Sequence, residues 1–267
     1  MKIWYQTMTS YRYDPLWDEY GKSIEEQCRN AARPDTEVYV TGVPRIVHEI
    51  DQYKSLMLYN YASQGMNNLF QAERQGYDAV VIVCSYDVGM DEGREMLNIP
   101  VVSITHASLH MASMLGELYA IVTCTPYLYE RYRQLIIRYG FQQKFLRGNY
   151  ISHITEPELA QAIKKPEPLA EKFATMAEKA VADGASVIIP LPVLVSQVFF
   201  KTGWPKNLKG ATILDPVAVA TKMAEMMVEL KRLGMDVSRV PQVYASPPKE
   251  VLDKAIETFR PVFKIER

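Results

Sequence analysis

The segment from Asp78 to Gly89, with the sequence DAVVIVCSYDVG, indicates the fold class of this chain. Its first part is a short run of apolar, mostly β-branched residues, which is typical of a strand buried on both faces of a parallel sheet. The run stops at Cys84, and the polar residues after it predict a loop. We therefore expect a thiol at the carboxyl end of a buried strand, the edge where open α/β sheets bind ligands.

Similar short apolar segments recur along the chain and alternate with longer amphipathic ones, a pattern typical of βαβ units. The predicted strands are Lys2–Tyr5, Glu37–Thr41, Ala79–Cys84, Val101–Ile104, Ala120–Thr123, Phe145–Tyr150, Ser186–Pro190 and Ala211–Leu214. The predicted helices are Ser55–Gln75, Glu92–Leu97, Leu109–Leu115, Tyr127–Tyr139, Glu158–Gln161, Leu169–Ala182 and Val217–Leu233. This alternation predicts an α/β fold with an open, doubly wound parallel sheet.

Two pairs of segments suggest an internal repeat. Gly76 is followed by a strand and, eight positions later, by Cys84, and Gly184 is followed in the same way by Pro192. The opening segment IWYQT (residues 3–7) is echoed by IVTCT (residues 121–125). The pattern is compatible with a duplicated half, and equally with the general likeness of any two βαβ units.

Composition and charge narrow the class of protein. Hydrophobic residues make up 48% of the 267 positions and charged residues 23%, enough to bury a core. A net charge of −1 without long charged blocks argues against nucleic acid or an anionic membrane as partner. We expect a cytoplasmic protein, because no apolar run is long enough to span a bilayer and the N-terminal sequence is unlike a signal peptide. The apolar helices predict a homo-oligomer.

Several segments, in their order along the chain, resemble the Asp/Glu/hydantoin racemase superfamily and its hydantoin racemase-like branch. Residues 78–102 are similar to that family's first cysteine segment, and residues 183–189 to the strand before its second cysteine. Residues 120–125 and 215–224 resemble a substrate-holding strand and the closing helix. The similarity spans roughly residues 1–233.

The resemblance implies two similar parallel-sheet βαβ lobes with the active site in the cleft between them. The implied first lobe is residues 1–106 plus 213–235, and the second is residues 107–212. Residues 236–267 would form a C-terminal extension packed on the first lobe. In such enzymes one cysteine thiolate removes the proton α to a carbonyl and an opposite thiol returns one, without cofactor or metal. The implied substrate is a small carboxylate or a hydantoin-like molecule.

The chain departs from this pattern because Pro192 occupies the position of the second cysteine. Three functions remain open: an isomerase that uses the single cysteine Cys84, a decarboxylase or lyase with Cys84 as proton donor or nucleophile, and a non-catalytic small-ligand-binding protein. His106 is the expected second acid/base, because it replaces an acidic family residue beside the cleft. Cys124 is a further candidate. His110 follows His106 by one helical turn, but no third metal ligand can be named, so we predict no metal site.

The expected catalytic residues are Cys84 and His106. The expected substrate-binding residues are Gln6, Thr9, Ser10, Ser85, Tyr86, Thr123, Cys124, Thr125, Pro192 and Val193.

Overall fold

A computed structural model of the chain describes residues 1–46, 54–154, 158, 162–240 and 245–263. Its first sheet has four parallel strands in the order β2-β1-β3-β4. These strands are β1 (Lys2–Thr7), β2 (Glu37–Thr41), β3 (Ala79–Val83) and β4 (Val101–Ser103). All five residues of β3 are buried, because helices cover both faces of this central strand.

The second sheet has the order β5-β6-β8-β7. Its strands are β5 (Tyr119–Val122), β6 (Val187–Pro190), β7 (Asn207–Leu208) and β8 (Ala211–Ile213). The first three strands in this order are parallel, and β7 runs antiparallel to β8. The order β5-β6-β8 repeats the order β1-β3-β4 of the first sheet. The predicted α/β fold with two similar lobes is therefore confirmed.

The helices connect the strands and cover the sheets. They are α1 (Asp18–Ala31), α2 (Lys54–Asn60), α3 (Met66–Arg74), α4 (Met90–Met96), α5 (Ile104–Leu115), α6 (Pro126–Arg138), α7 (Glu167–Ala182), α8 (Val193–Lys201), α9 (Pro216–Arg232) and α10 (Lys249–Phe263). A π-helical turn, Tyr61–Gly65, joins α2 to α3. In the described part of the chain, no helix combines the length and the apolar character needed to cross a bilayer.

Local sequence explains where several helices begin and end. Thr125 caps α6 and Asp215 caps α9, each accepting a hydrogen bond from a backbone N–H of the first turn, and each is followed by proline. Gly76 and Gly184 follow the ends of α3 and α7 with φ angles of 76° and 108°. This left-handed conformation favours glycine, so both residues turn the chain back into a strand.

One continuous apolar core joins the two lobes. Helix α5 contacts β3 of the first sheet and β6 of the second, and α9 packs against α1, α5 and β3. Fully buried residues such as Ile3, Val81 and Ile121 belong to this shared cluster. Each buried aliphatic side chain contributes about 1.5–3 kcal/mol relative to exposure, so the lobes stabilise each other.

The predicted strand Phe145–Tyr150 is wrong as a regular strand. This segment forms only isolated bridges, from Phe145 to Tyr119 of β5 and from Ile151, just after the predicted strand, to Thr123, just after β5. The bridged residues are six apart on one side and four apart on the other, so two extra residues bulge out and interrupt the ladder. The predicted helix Glu158–Gln161 lies, apart from Glu158, outside the described residues.

The predicted helices did not include α1 and α8. The buried face of α1 includes the polar residue Gln27, whose amide donates hydrogen bonds to Ser196 Oγ at 3.1 Å and Asp215 Oδ1 at 2.5 Å. Helix α8 is rich in β-branched residues, which favour strands by propensity. Both helices are held by contacts across the lobes, and a local sequence pattern does not show such contacts.

Part of the C-terminal segment contacts the first lobe. The Arg239 guanidinium donates to the backbone carbonyls of Arg94 at 2.5 Å and Leu97 at 2.6 Å, and Ser246 Oγ donates to the carbonyl of Glu95 at 2.8 Å. The lobe boundaries at residues 106 and 212, the homo-oligomer and the cytoplasmic location stay predictions.

Candidate active site

A cavity of about 70 Å³ opens between the lobes, at the carboxyl ends of the first sheet's strands. The first lobe contributes Thr7 to Thr9 after β1 and Val83 to Tyr86 after β3. Pro192 and Val193, where α8 begins, line the cavity from the second lobe, together with Leu128 of α6. The volume suits a small ligand, because a single ordered water needs roughly 10–15 Å³ by this kind of measure.

Cys84 enters this cavity because β3 ends one residue before it. Val83 pairs in register with Thr7, so the ends of β1 and β3 reach the cavity side by side. The Cys84 side chain is 6% exposed, and its carbonyl accepts a hydrogen bond from the Asp87 N–H at 3.0 Å. The turn between these two residues therefore aims Ser85 and Tyr86 at the same cavity. None of the three cysteines forms a disulfide.

Hydroxyl groups supply the polar part of the lining. Thr7 Oγ1 and Thr9 Oγ1 lie 2.9 Å apart, and Ser85 Oγ lies 2.9 Å from the buried Tyr132 hydroxyl of α6. The Ser85 carbonyl accepts a hydrogen bond from Thr105 Oγ1 at 2.6 Å, which fixes the backbone. Oriented hydroxyls of this kind stabilise negative charge on a carbonyl oxygen beside a carbanion.

The remaining walls are aromatic and aliphatic. Trp17 and Tyr20 meet edge to face with ring centroids 6.1 Å apart, and Ile46 and Met57 complete the lining. Among the lining residues that the structure describes, none carries a charged side chain. A neutral ring suits this lining better than a dicarboxylate does, because a buried charge without a partner is costly.

Asp87 braces the loop that follows Cys84. Its buried carboxylate accepts hydrogen bonds from Ser103 Oγ at 2.5 Å, from the Thr105 and His106 N–H groups at 3.0 and 2.8 Å, and from the Tyr139 hydroxyl at 3.0 Å. The two N–H groups belong to the first turn of α5, where a carboxylate is favourable. Asp87 therefore ties the turn to α5 and to the end of α6.

The environment of Asp87 also changes its acidity. Burial raises the pKa of its carboxyl to about 6, and the four hydrogen bonds oppose that rise without cancelling it. The carboxylate is directed at the donors of β4, α5 and the end of α6.

The structure places His106 outside the cavity, which corrects its expected place beside Cys84. Because α5 begins at Ile104, His106 lies in its first turn and packs against His110 and Tyr139, with ring centroids 4.3 and 5.0 Å away. Burial, helped by the Arg94 and His110 charges, lowers the pKa of His106 to about 3. The ring is therefore neutral near pH 7. Among the described residues, no three His, Cys, Asp or Glu side chains are grouped closely enough to hold a metal ion.

Two expected residues in or just after β1 also lie outside the cavity lining. The Gln6 amide donates to the carbonyls of Thr7 at 2.7 Å and Gly42 at 3.1 Å, so this side chain holds the loops after β1 and β2 together. Ser10 is 2% exposed, and its carbonyl accepts backbone hydrogen bonds in the next turn. Both contacts are internal, which explains why neither residue reaches the cavity.

The expected residues after β5 remain inside the second lobe. Thr123 is fully buried and pairs with the backbone of Tyr150 and Ser152. Cys124 is 1% exposed within the core of that lobe, and Thr125 Oγ1 is engaged in capping α6. The end of β5 is therefore structural, whereas the end of β6 reaches the cavity through Pro192 and Val193.

Several lining residues were not among those expected from the sequence. Thr7 and Met8 adjoin the expected Thr9, whereas Trp17, Tyr20 and Met57 come from segments between strands. The spacing of Trp17 and Tyr20, three residues apart at a helix start, was an available signal. Nothing local indicates that this helix start faces the end of β3.

Comparison with known proteins agrees with this architecture. The sequence profile of the Asp/Glu/Hydantoin racemase family matches residues 18–224. A hydantoin racemase of Pseudomonas sp. (strain NS671) is 28% identical over 242 residues, covering 89% of this chain and 91% of that protein. A hydantoin racemase of Paenarthrobacter aurescens is 30% identical over 168 residues, covering 60% of this chain and 66% of that protein.

Solved structures show the same relationship. Allantoin racemase from Klebsiella pneumoniae is 25% identical, with a TM-score of 0.69 over 93% of this chain and 94% of its own. Allantoin racemase from Pseudomonas fluorescens is also 25% identical, with a TM-score of 0.70 over 93% of this chain and 98% of its own. With a family profile that spans most of its length and racemases among its relatives in sequence and structure, this chain belongs to the Asp/Glu/hydantoin racemase family and is a racemase-type isomerase.

Proposed function

We propose that this isomerase exchanges the proton on the carbon α to a carbonyl of a small, hydantoin-like ring, with Cys84 as the acid/base group. The observation that carries the proposal is the position of Cys84 in the interlobe cavity, beside hydroxyls and, among the described lining residues, no charged side chain. The named activities of the relatives support a hydantoin-like ring over an acyclic amino acid.

In the proposed mechanism the ring lies with its α C–H directed at Cys84 Sγ. The thiolate takes the proton, and the electron pair of the broken C–H bond delocalises onto the adjacent carbonyl oxygen. The hydroxyls of Thr7, Thr9 and Ser85 are the candidate donors to that oxygen. Return of the proton from Cys84 restores the original enantiomer, and protonation of the other face gives its mirror image.

The residues of the second lobe determine which group can donate a proton to the other face of the ring. Pro192 and Val193 have no titratable side chain, so the second proton of a racemisation comes from water in this proposal. The step balances because water supplies a proton and the resulting hydroxide takes the proton held by Cys84. One-sided proton transfer predicts that exchange of the α proton with solvent is faster than inversion.

Proton transfer to a single face of the carbanion also fits a second candidate function, that of a decarboxylase. In such an enzyme Cys84 would protonate the carbanion left after loss of carbon dioxide. The absence of a cation among the described lining residues disfavours it, because the substrate must carry a carboxylate. A lyase with Cys84 as nucleophile has no further support from the cavity. Family membership favours an enzyme over the non-catalytic binding protein that the sequence left open.

The test is α-proton exchange of each enantiomer of 5-methylhydantoin in deuterium oxide, followed by NMR and polarimetry. We expect the wild type to exchange above the spontaneous rate and Cys84→Ser to fall to that rate. Cys28→Ala is the matched control, because Cys28 lies in α1 and is fully buried away from the cavity. Equal rates in wild type and Cys84→Ser would remove Cys84 from the mechanism. Carbon dioxide release from an aryl malonate without hydantoin exchange would favour the decarboxylase.

A further inference from the structure

A second cavity of about 160 Å³ lies behind the Cys84 loop, between that loop and one face of α6. It is larger than the cavity that holds Cys84. Arg131 and Gln134 of α6 line it from one side, and Val88 and Glu92 line it from the other. Hydrogen-bond donors and acceptors therefore meet apolar surface within one cavity that is partly open to solvent. The proposed proton exchange does not use this space.

Tyr86 separates the two cavities. Among the described residues it is the one side chain that lines both. It packs against the apolar clusters on both sides of the loop, and its ring centroid lies 6.3 Å from that of Tyr132. The ring thus lies between the small cavity that holds Cys84 and a larger one whose lining includes charged side chains.

The second cavity can receive the end of a polar substituent. The Arg131 guanidinium donates to the Tyr127 hydroxyl at 3.0 Å and to Gln134 Oε1 at 3.3 Å, and no carboxylate lies within ion-pair distance of it among the described residues. Asp91, which also lines this cavity, forms an ion pair with Arg138. Arg131 offers hydrogen-bond donors and Glu92, which also lines this cavity, offers acceptors, so an uncharged group that both donates and accepts, such as a carboxamide, suits the lining.

We propose that Tyr86 is the specificity-determining residue that limits the length of the ring substituent. The inference rests on the proposed function, because it assigns the small cavity to the ring. With tyrosine at position 86, a short substituent fits beside Cys84. Without the ring, the two cavities join, and a long substituent extends toward Arg131 and Gln134.

The experiment compares two substrates, 5-methylhydantoin and 5-(2-carboxamidoethyl)hydantoin, by their kcat/KM values for α-proton exchange. We expect Tyr86→Ala to raise the ratio of the long to the short substrate by at least about tenfold, within the range that one pocket contact discriminates. Tyr86→Phe keeps the ring and should keep the wild-type ratio. Leu128→Ala is the matched control, because Leu128 lines only the reactive cavity among the described residues.

The outcomes separate this inference from the proposed function. If wild type exchanges 5-methylhydantoin and Tyr86→Ala leaves the ratio unchanged, Tyr86 does not set specificity although the proposed function stands. An equal change in Leu128→Ala would likewise overturn the role of Tyr86, because general enlargement of the reactive cavity would then suffice. If wild type exchanges neither substrate above the spontaneous rate, the proposed function itself fails.

Discussion

The ends of β3 and β6 have the same layout in the two lobes but carry different side chains. Each strand follows a helix and a glycine with positive φ, and each delivers a residue eight positions after that glycine to the same cavity. At β3 the residues from that position onward are Cys84 to Asp87, with a thiol, two hydroxyls and a carboxylate, and the first three of them line the cavity. At β6 they are Pro192 to Val195, which contain no titratable side chain and lead directly into α8.

This difference teaches how similar lobes divide their work. Asp87 turns the first loop toward α5, whereas Val195, three residues after Pro192 as Asp87 is after Cys84, is fully buried in the second lobe. In the proposed mechanism the first lobe therefore contributes the reactive groups, and the second contributes the shape of the cavity. Four predictions test this contrast.

The largest expected effect comes from removing the thiol. Cys84→Ala should lower α-proton exchange by about 10²–10⁴-fold, the usual contribution of a positioned acid/base group. Pro192→Ala at the opposite strand end should lower it by less than about tenfold, because it removes a wall and no proton carrier. Exchange rates of both variants under one set of conditions check the contrast, and losses of similar size would contradict it.

The buried carboxyl group of Asp87, which links the Cys84 loop to α5 and α6, predicts a pH dependence of the free energy of unfolding. The Asp87 pKa of about 6 in the folded protein exceeds the value near 3.9 of an exposed aspartate. Between these values the folded state binds more protons, so the Asp87 contribution to the free energy of unfolding is present below pH 4. This stabilising contribution, at most about 3 kcal/mol, is lost as the pH rises through about 6.

Asp87→Asn removes this titration. Relative to wild type, its free energy of unfolding should therefore increase as the pH rises from 4 to 6, whatever constant offset the lost acceptor causes. Urea titrations of both proteins across this range measure the difference. The lowered pKa values of Glu25, Glu225 and Asp236 act in the opposite direction in both proteins and cancel. A pH-independent difference would show that Asp87 does not titrate in this range.

A smaller effect is expected when the second lobe receives a thiol. Pro192→Cys places a proton carrier on the face opposite Cys84, so inversion of 5-methylhydantoin should rise about tenfold relative to α-proton exchange, an effect of about 1.4 kcal/mol. Polarimetry and deuterium incorporation in the same sample give this ratio. Pro192→Ser controls for the loss of proline, and an equal rise in that variant would exclude the new thiol as the cause.

The smallest expected effect concerns the hydrogen bond between Ser85 and Tyr132. This bond joins the loop that follows Cys84 to α6 of the second lobe. Ser85→Ala and Tyr132→Phe should each lower kcat/KM, and their effects should be non-additive by about 1 kcal/mol, the net value of one neutral hydrogen bond. A double-mutant cycle measures this coupling. Strict additivity would show that the hydroxyl pair does not orient the loop for catalysis.

The match between sequence and structure is uneven for a physical reason. The segment leading to Cys84 was predictable because a buried parallel strand needs a continuous apolar run, and that run has visible ends. Helix α8 was not predictable, because its β-branched residues favour a strand until packing between the lobes makes them helical. His106 was expected beside the cleft because it replaces an acidic residue of the family, whereas the first turn of α5 directs its ring toward Tyr139.

The sequence by itself determined the alternating α/β order and the position of Cys84 at the end of a buried strand, because each depends on patterns within a few neighbouring residues. The two similar lobes were implied by the family resemblance, since the internal repeat alone left them open. Tertiary structure alone decided which side chains share the cavity. Trp17, Tyr20 and Met57 are distant from Cys84 along the chain, and only the packing of the elements that carry them brings them to the end of β3. Side-chain direction at a strand end depends on the helix or turn that follows, and long-range contacts fix that geometry.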